Sequence, residues 1–245
     1  MATFAGTPAE FMGNVLGQRI APVATTWGSP VSYTPKAADT PSLAQVVCDG
    51  NSLTFGSGVA PGSEFTLNYV SLARPLLHAS QASHALNVWR LINKGTGSIE
   101  TPDMTARFDG TVHVHYDPQL RHNVVAMLEY INHRRRGATA QQGLDAYVEY
   151  LEHAIARGWS PMLFTVPPTG PSDIFFPGTG LDTSAINTWI RANVATYSPF
   201  PVVEIVTDMY DDPTDTSLWN ADQVHPKDYS PMATAFHDIV AAIAT

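Results

Sequence analysis

The feature that most constrains the fold is the alternation of short apolar runs with amphipathic segments from residue 43 onwards. Five runs, apolar throughout or alternating, are predicted to be β-strands: residues 43–47, 84–92, 123–128, 161–166 and 202–206. Four other segments have the apolar spacing of helices: residues 61–77, 141–157, 182–195 and 230–244. Apolar strands that alternate with helices are typical of a parallel sheet with both faces covered. The sequence therefore predicts an α/β protein with a five-stranded, flavodoxin-like parallel sheet.

Two of the predicted helices have a defined apolar face. In segment 61–77 this face consists of Phe65, Tyr69, Leu72 and Leu76. In segment 141–157 it consists of Leu144, Tyr147, Val148, Leu151 and Ile155. Segment 182–195 begins with Asp182, which is predicted to cap its N-terminus.

Residues 1–42 differ in composition from the rest of the chain. They are rich in Ala, Thr, Pro and Gly and have no sustained periodicity. They are predicted to form either an extended arm, which packs on the domain of residues 43–245 or on a second copy, or a poorly ordered tail. The first residues also lack the basic and continuous apolar regions of a signal peptide.

Charge and cysteine content exclude several function classes. The 13 basic and 22 acidic residues give a net charge of −9, so binding to nucleic acid or to an anionic membrane is not expected. No apolar run is long enough for membrane insertion. The single cysteine, Cys48, excludes an internal disulfide and a cysteine-based zinc cluster. His113 and His115 alternate on an apolar stretch and are expected to share a strand face, but no third ligand is evident, so no metal is predicted.

Polar residues follow the predicted strands at their carboxyl ends, where active sites form in such folds. They are Ser52 after the first strand, Gly95 after the second, Asn132 after the third, and Asp222 with His225 before the last helix. A serine nucleophile needs a base to take its proton, and a histidine base needs a carboxylate to orient it. Taken singly, each of these residues also suits a structural role in a helix cap, a turn or a loop.

In this order, the motifs resemble the sequence blocks of the SGNH hydrolases, also called GDSL esterases and lipases. Residues 50–53, Gly-Asn-Ser-Leu, resemble the family block Gly-Asp-Ser-Leu, and residues 222–226 match the block Asp-x-x-His-Pro in full. Gly95 matches the glycine of the second block, and Asn132 matches the asparagine of the third. The resemblance covers about residues 43–245.

This resemblance implies a three-layer α/β/α sandwich and ester hydrolysis through an acyl-enzyme. Ser52 would be the nucleophile, His225 the base, and Asp222 the group that orients the base. The backbone N–H groups of Ser52 and Gly95 and the side chain of Asn132 would form the oxyanion hole. The mechanism needs no cofactor and no metal.

Three positions depart from the family pattern. Asn51 replaces the aspartate of the first block. In the third block, Tyr130 replaces the glycine and His133 replaces the aspartate. Because Tyr130 adds bulk near Asn132, it is expected to narrow the site, to shape a substrate subsite, or to turn Asn132 away from the oxyanion.

Candidate substrate contacts are found on the irregular segment 167–180 and elsewhere. Phe175 and Phe176 are expected either to line an apolar wall or to pin this segment to the core. Trp219 is expected either to stack on a sugar ring or to pack locally. The three arginines at 134–136 suit either a solvated charged face or the recognition of an anionic substrate.

The sequence favours a short acyl group over a long one, because no long apolar lid of an interfacial lipase is evident. An acetylesterase that acts on carbohydrate is therefore the predicted function, and an extracellular location is favoured because such substrates are found there. The alternatives are an esterase or lipase for lipid or small aliphatic esters, and a non-catalytic binding module on the same fold.

Overall fold

A computed structural model of the protein describes residues 44–81, 89–206 and 210–243. Its strands are β1 (Ala44–Gly50), β2 (Trp89–Asn93), β3 (His122–Leu128) and β4 (Ser160–Leu163). They form a parallel sheet in the order β2-β1-β3-β4. The predicted parallel α/β fold is therefore confirmed. The predicted arm or tail, residues 1–42, lies outside the described residues.

The fifth predicted strand, residues 202–206, is reduced to an isolated parallel bridge between Val203 and Phe164, directly after β4. The hydroxyl of Thr165 accepts the N–H groups of Ile205 and Val206, at 2.9 and 3.0 Å. Because a side chain takes the place of a backbone carbonyl there, regular strand pairing does not continue. Among the described residues the sheet thus has four strands, and a bridge stands in place of the fifth.

Eight α-helices lie among the described residues: α1 (Ser52–Phe55), α2 (Glu64–Leu67), α3 (Tyr69–Gln81), α4 (Thr101–Thr111), α5 (Ile131–Arg135), α6 (Ala140–Ala156), α7 (Ser184–Tyr197) and α8 (Ser230–Ile243). One group of packed helices contains α3 and α8, and a second contains α4, α6 and α7. These groups flank the sheet, which gives the three layers of an α/β/α sandwich. Within the described ranges, no helix combines the length and apolar character that crossing a membrane requires.

The predicted helix 61–77 is divided into α2 and α3, because Asn68 between them has an extended backbone. This break resets the helical phase, so the predicted apolar face is only partly correct: Tyr69 is buried and Leu72 packs on the core, but the other two residues are exposed. Phe65 is 74% exposed and Leu76 is 39% exposed. The buried stripe of α3 instead consists of Tyr69, Val70, Ala73 and Leu77.

The segment between β2 and β3 is helical, although its apolar pattern did not indicate a helix. In α4 only Thr101, Met104 and Phe108 are buried, which is too few residues to make a clear periodic stripe. His113 and His115 lie in the 3-10 helix that follows, so the expectation that they share a strand face is wrong. The described residues contain no group of three His, Cys, Asp or Glu side chains placed to hold a metal ion.

Side-chain caps define where two of the predicted helices begin. Thr139 and Gln142 form a reciprocal capping box at the start of α6, in which each side chain accepts the other residue's N–H, at 3.2 and 2.8 Å. Helix α7 begins at Ser184, two residues after the predicted cap Asp182. The Asp182 carboxylate nevertheless accepts the Ser184 N–H at 2.8 Å, so it satisfies one of the free N–H groups at this end.

Candidate active site

Ser52 stands at the turn between β1 and α1, at the carboxyl edge of the sheet. Asn51 before it is extended and caps α1, because its Oδ1 accepts the Leu53 N–H at 2.8 Å. Ser52 is therefore the first helical residue, and it is 8% exposed. This cap fixes the start of α1, so the Ser52 hydroxyl lies directly after the carboxyl end of β1.

The structure brings Ser52, His225 and Asp222 into one hydrogen-bonded chain. His225 Nε2 lies 2.8 Å from Ser52 Oγ, and His225 Nδ1 lies 2.7 Å from Asp222 Oδ2. An ionised carboxylate only accepts hydrogen bonds, so the Nδ1 nitrogen carries the proton in the neutral imidazole. Nε2 is then free to accept the Ser52 hydroxyl proton, which is the arrangement that a serine nucleophile needs.

Hydrogen bonds keep the Asp222 carboxylate ionised. Its partial burial opposes ionisation, but hydrogen bonds from the His225 side chain and the Val224 N–H outweigh that effect and lower the pKa of Asp222 to about 2. The second oxygen, Oδ1, accepts the N–H groups of Val224 and His225 at 3.0 and 3.1 Å. The same carboxylate therefore shapes the loop and orients the imidazole.

Trp219 is buried and packs against the loop of residues 222–226. It is 1% exposed, forms an antiparallel bridge with Pro226 and packs edge-on against Tyr210. Next to it, the Asn220 side chain donates to the carbonyl of His225 at 3.0 Å. Trp219 is therefore withdrawn as a substrate contact, and the alternative of local packing holds.

Gly58 allows the loop to approach α1 closely, and this leads to a testable prediction. Its φ is +97°, and an added Cβ would lie 2.6 Å from both Asn220 Nδ2 and His225 Cβ. We expect Gly58→Ala to lower the free energy of unfolding by roughly 2–4 kcal/mol, through backbone strain and overpacking. Gly62→Ala is a matched control, because Gly62 also has a positive φ, of +85°, but nothing lies within 4 Å of its added Cβ.

The control should cost only about 1 kcal/mol, from the strained backbone alone. Denaturation by urea of the wild type and of the two variants measures both values. Equal losses in the two variants would contradict a close contact between Gly58 and the loop.

Gly95 and Asn132, two of the predicted oxyanion donors, differ in whether an N–H group remains free to bind an oxyanion. The Gly95 N–H donates to Asn93 Oδ1 at 2.8 Å, so it is already engaged within the protein. An added Cβ on Gly95 would lie 2.2 Å from the Phe55 backbone nitrogen, so this glycine allows the end of β2 to pack on α1. Gly95 is therefore withdrawn as an oxyanion donor. Asn132 is buried, and one of its amide hydrogens is donated to the Ile99 carbonyl at 3.0 Å, which leaves the other hydrogen for a ligand.

Tyr130 does not shape a substrate subsite in this structure. It is 2% exposed, and its ring lies against Gly143, where an added Cβ would be 2.7 Å from the ring. Phe176 is partly buried and packs on the core, which fits the alternative that it pins the loop. Phe175 is 49% exposed and lies under the Arg135 guanidinium, 4.5 Å from the ring centre, so it alone of the four predicted substrate contacts presents a large surface.

Each of the three arginines after Asn132 contacts a protein acceptor, although the Arg136 side chain is also half exposed. Arg134 donates to the Ala138 carbonyl. Arg135 forms an ion pair with the buried Asp173 at 3.0 Å. The third, Arg136, pairs with Glu100, which also accepts from the His133 side chain. The arginines therefore do not form a free anion site, and the alternative of a solvated charged face fits Arg136 alone.

Two residues that the sequence analysis missed connect the loops of the site. Gln223 links the 222–226 loop to the segment 167–180, because its backbone and side-chain oxygens accept the N–H groups of Gly170 and Ser172 at 2.9 and 2.8 Å. Glu129 lies fully buried between Ser52's turn and Asn132's turn. The sequence did offer a signal for Glu129, because this charged residue directly follows the most apolar predicted strand. Gln223 had no such signal.

Comparisons with known proteins show which solved structures share this fold. No protein-family model and no curated protein matches the sequence. Solved structures do match it, among them the psychrotrophic esterase EstA from Pseudoalteromonas sp., at 17% identity and a TM-score of 0.55, with 80% of this chain and 96% of that chain covered. A lipase/acylhydrolase from Enterococcus faecalis is 19% identical, with a TM-score of 0.56 and coverage of 81% and 95%.

A member of the lipolytic protein G-D-S-L family from Veillonella parvula has 18% identity, a TM-score of 0.56 and coverage of 80% and 97%. These similarities extend over nearly the whole length of the three solved chains. The resemblance that the sequence motifs indicated is thus confirmed at the level of the fold, and this chain has the fold of the GDSL, or SGNH, hydrolases.

Proposed function

We propose that this protein is a serine esterase that hydrolyses carboxylic esters through an acyl-enzyme. The observation that carries the proposal is the hydrogen-bonded chain from Ser52 through His225 to Asp222 at the carboxyl edge of the sheet. The described similarity to an esterase and an acylhydrolase supports the same reaction class. A binding module on this fold would have no need for a histidine poised to accept the serine proton.

In the proposed reaction, Ser52 Oγ attacks the ester carbonyl carbon and its proton passes to His225 Nε2. The Ser52 N–H and the free amide hydrogen of Asn132 stabilise the oxyanion of the tetrahedral intermediate. The intermediate collapses to the acyl-enzyme, and the leaving alcohol takes the proton from His225. A water molecule, deprotonated by His225, then releases the acid and restores Ser52.

We further propose that the acyl group is short, and that acetylated carbohydrate is the natural substrate class. The half-exposed ring of Phe175, held under Arg135, offers a flat apolar surface of the kind on which a sugar ring can stack. A second candidate is the hydrolysis of lipid or small aliphatic esters. The neighbouring Ile174, which is 79% exposed, favours that candidate because it extends the apolar surface.

A chain-length series tests these candidates. If the acyl group is short, as proposed, we expect kcat/KM to fall by roughly 10-fold or more from p-nitrophenyl acetate to p-nitrophenyl octanoate, because a site that fits an acetyl group would reject added methylenes. Release of acetate from an acetylated polysaccharide is the companion measurement. A rate that rises towards the octanoate would favour the lipid candidate, and rates equal to the buffer with all esters would favour a non-catalytic module.

A further inference from the structure

Glu129 is a fully buried carboxylate that the proposed mechanism does not use. It directly follows β3, and its side chain lies between the two turns that carry Ser52 and Asn132. Its Oε2 accepts from Asn51 Nδ2 at 2.5 Å and from the Asn132 N–H at 3.3 Å. Its Oε1 accepts the His133 N–H at 3.0 Å. One side chain therefore bonds to both turns.

The contact with Asn51 determines which way that amide points. Asn51 Oδ1 accepts the Leu53 N–H, which caps α1, while Nδ2 donates to Glu129. A flipped amide would place its NH₂ group against the Leu53 N–H and its oxygen against the Glu129 carboxylate. Both contacts would be repulsive, so Glu129 selects the amide orientation that caps the helix carrying Ser52.

Glu129 has no ion-pair partner in the part of the chain that the structure describes. The other buried carboxylates among the described residues, Asp49 and Asp173, are paired with Arg107 and Arg135. Burial raises the pKa of Glu129 to about 7, against opposing hydrogen bonds from the N–H groups of Tyr130 and His133 and from Asn51. Both oxygens of this buried carboxyl group nevertheless accept hydrogen bonds from the two turns, so a merely space-filling role does not account for it.

We propose that Glu129 is a positioning residue, which orients Ser52 through Asn51 and ties the nucleophile turn to the turn of Asn132. This inference rests on the proposed function, because it concerns the alignment of the Ser52 nucleophile. The opposing explanation is that Glu129 only caps the short helix α5 through the His133 N–H. The two explanations differ in whether the identity of residue 51 matters.

Exchanging the amide of residue 51 with the carboxylate of residue 129 distinguishes the two explanations. In Glu129→Gln, the new NH₂ group faces either the Asn51 NH₂ group or the His133 N–H, because an amide has only one oxygen to accept from these two donors. In Asn51→Asp, two buried carboxyl groups are in contact. In the double variant, residue 51 can accept both the Leu53 N–H and the new amide of residue 129. The Gln oxygen at residue 129 can still accept the His133 N–H, whereas the 3.3 Å bond from the Asn132 N–H is lost.

The readout is the second-order rate at which a fluorophosphonate probe labels Ser52. We expect each single substitution to slow labelling by about 10-fold or more, since small misalignments of a nucleophile have large effects on rate. We expect the double variant to recover to within about threefold of the wild type. With p-nitrophenyl acetate, the single variants should lose kcat while KM changes less than about twofold.

Urea denaturation of all four proteins separates a loss of folding from a loss of alignment. If a single variant does not fold, the labelling rate of the double variant relative to the wild type still distinguishes the two explanations. A double variant that is unfolded, or as slow as the slower single variant, overturns the inference and favours a capping role alone. A wild type that is not labelled at Ser52 overturns the proposed function, and this inference with it, which is a distinguishable result.

Discussion

Replacing Ser52 by alanine is expected to reduce hydrolysis of p-nitrophenyl acetate by roughly 10⁴-fold or more, to near the background rate. The substitution removes the hydroxyl oxygen that is placed to form the acyl-enzyme, which lies 2.8 Å from His225 Nε2. Folding should be nearly unaffected, because the cap of α1 is formed by Asn51 and the Leu53 N–H, neither of which is changed. We expect the free energy of unfolding to change by less than about 1 kcal/mol. Initial rates and urea denaturation measure the two quantities.

Ser80→Ala is the matched control for this prediction. Ser80 Oγ also lies within reach of a histidine, 3.3 Å from His237 Nε2, and His237 Nδ1 lies 2.9 Å from Asp238. The Ser80 hydroxyl donates to the Leu77 carbonyl, however, so its proton is not directed at the imidazole. We expect Ser80→Ala to leave the rate unchanged. Retention of more than a tenth of the activity in Ser52→Ala would show that another group is the nucleophile.

The sheet was predictable because its central strands are buried on both faces. The most apolar run, residues 123–128, falls inside β3, and the run before Ser52 falls on β1. What the pattern missed is governed by single side chains. Thr165 captures the N–H groups that a fifth strand would use, and Asn68 breaks the helix predicted at 61–77. Hydrophobic periodicity contains no information about either event.

The sequence predicted which strand ends carry the site residues, but not which atoms of those residues are free to bind a substrate. The parallel sheet places the carboxyl ends of β1 and β3 side by side, which explains why Ser52 and Asn132 follow neighbouring strands. The sequence did not reveal that the Asn93 side chain engages the Gly95 N–H. It also did not reveal that Tyr130 turns into the core against Gly143. Both depend on tertiary contacts that motif spacing does not encode.

Replacing Asp222 by asparagine is expected to lower kcat by about 10⁴-fold with little change in KM. The wild-type carboxylate accepts the His225 Nδ1 proton at 2.7 Å, which leaves Nε2 as the acceptor for Ser52. An asparagine that keeps its bonds to the N–H groups of Val224 and His225 would present its NH₂ group to Nδ1. The imidazole would then carry its proton on Nε2, where it cannot accept the serine proton.

The pH dependence follows from the lowered pKa of Asp222, about 2 in the folded protein. Because this value lies below that of an unfolded aspartate, the stabilisation by Asp222 is present above about pH 4 and is lost as the pH falls through about 2. At neutral pH the carboxylate is ionised, so titration of Asp222 itself contributes nothing to the rate deficit of Asp222→Asn between pH 6 and 9. Its unfolding free energy should differ from that of the wild type at neutral pH and converge towards it in strong acid.

Asp215→Asn is the control that isolates the contact with His225. Asp215 is a loop aspartate whose Oδ1 likewise accepts a backbone N–H two residues later, from Ser217 at 2.8 Å, and hydrogen bonds lower its pKa. Its described side-chain contacts do not include His225, so we expect its substitution to leave kcat unchanged. Steady-state kinetics of both variants, with unfolding followed in parallel, make the comparison. An Asp222→Asn enzyme within tenfold of the wild type would mean that the imidazole is oriented by another group, and the proposed triad would then reduce to Ser52 and His225.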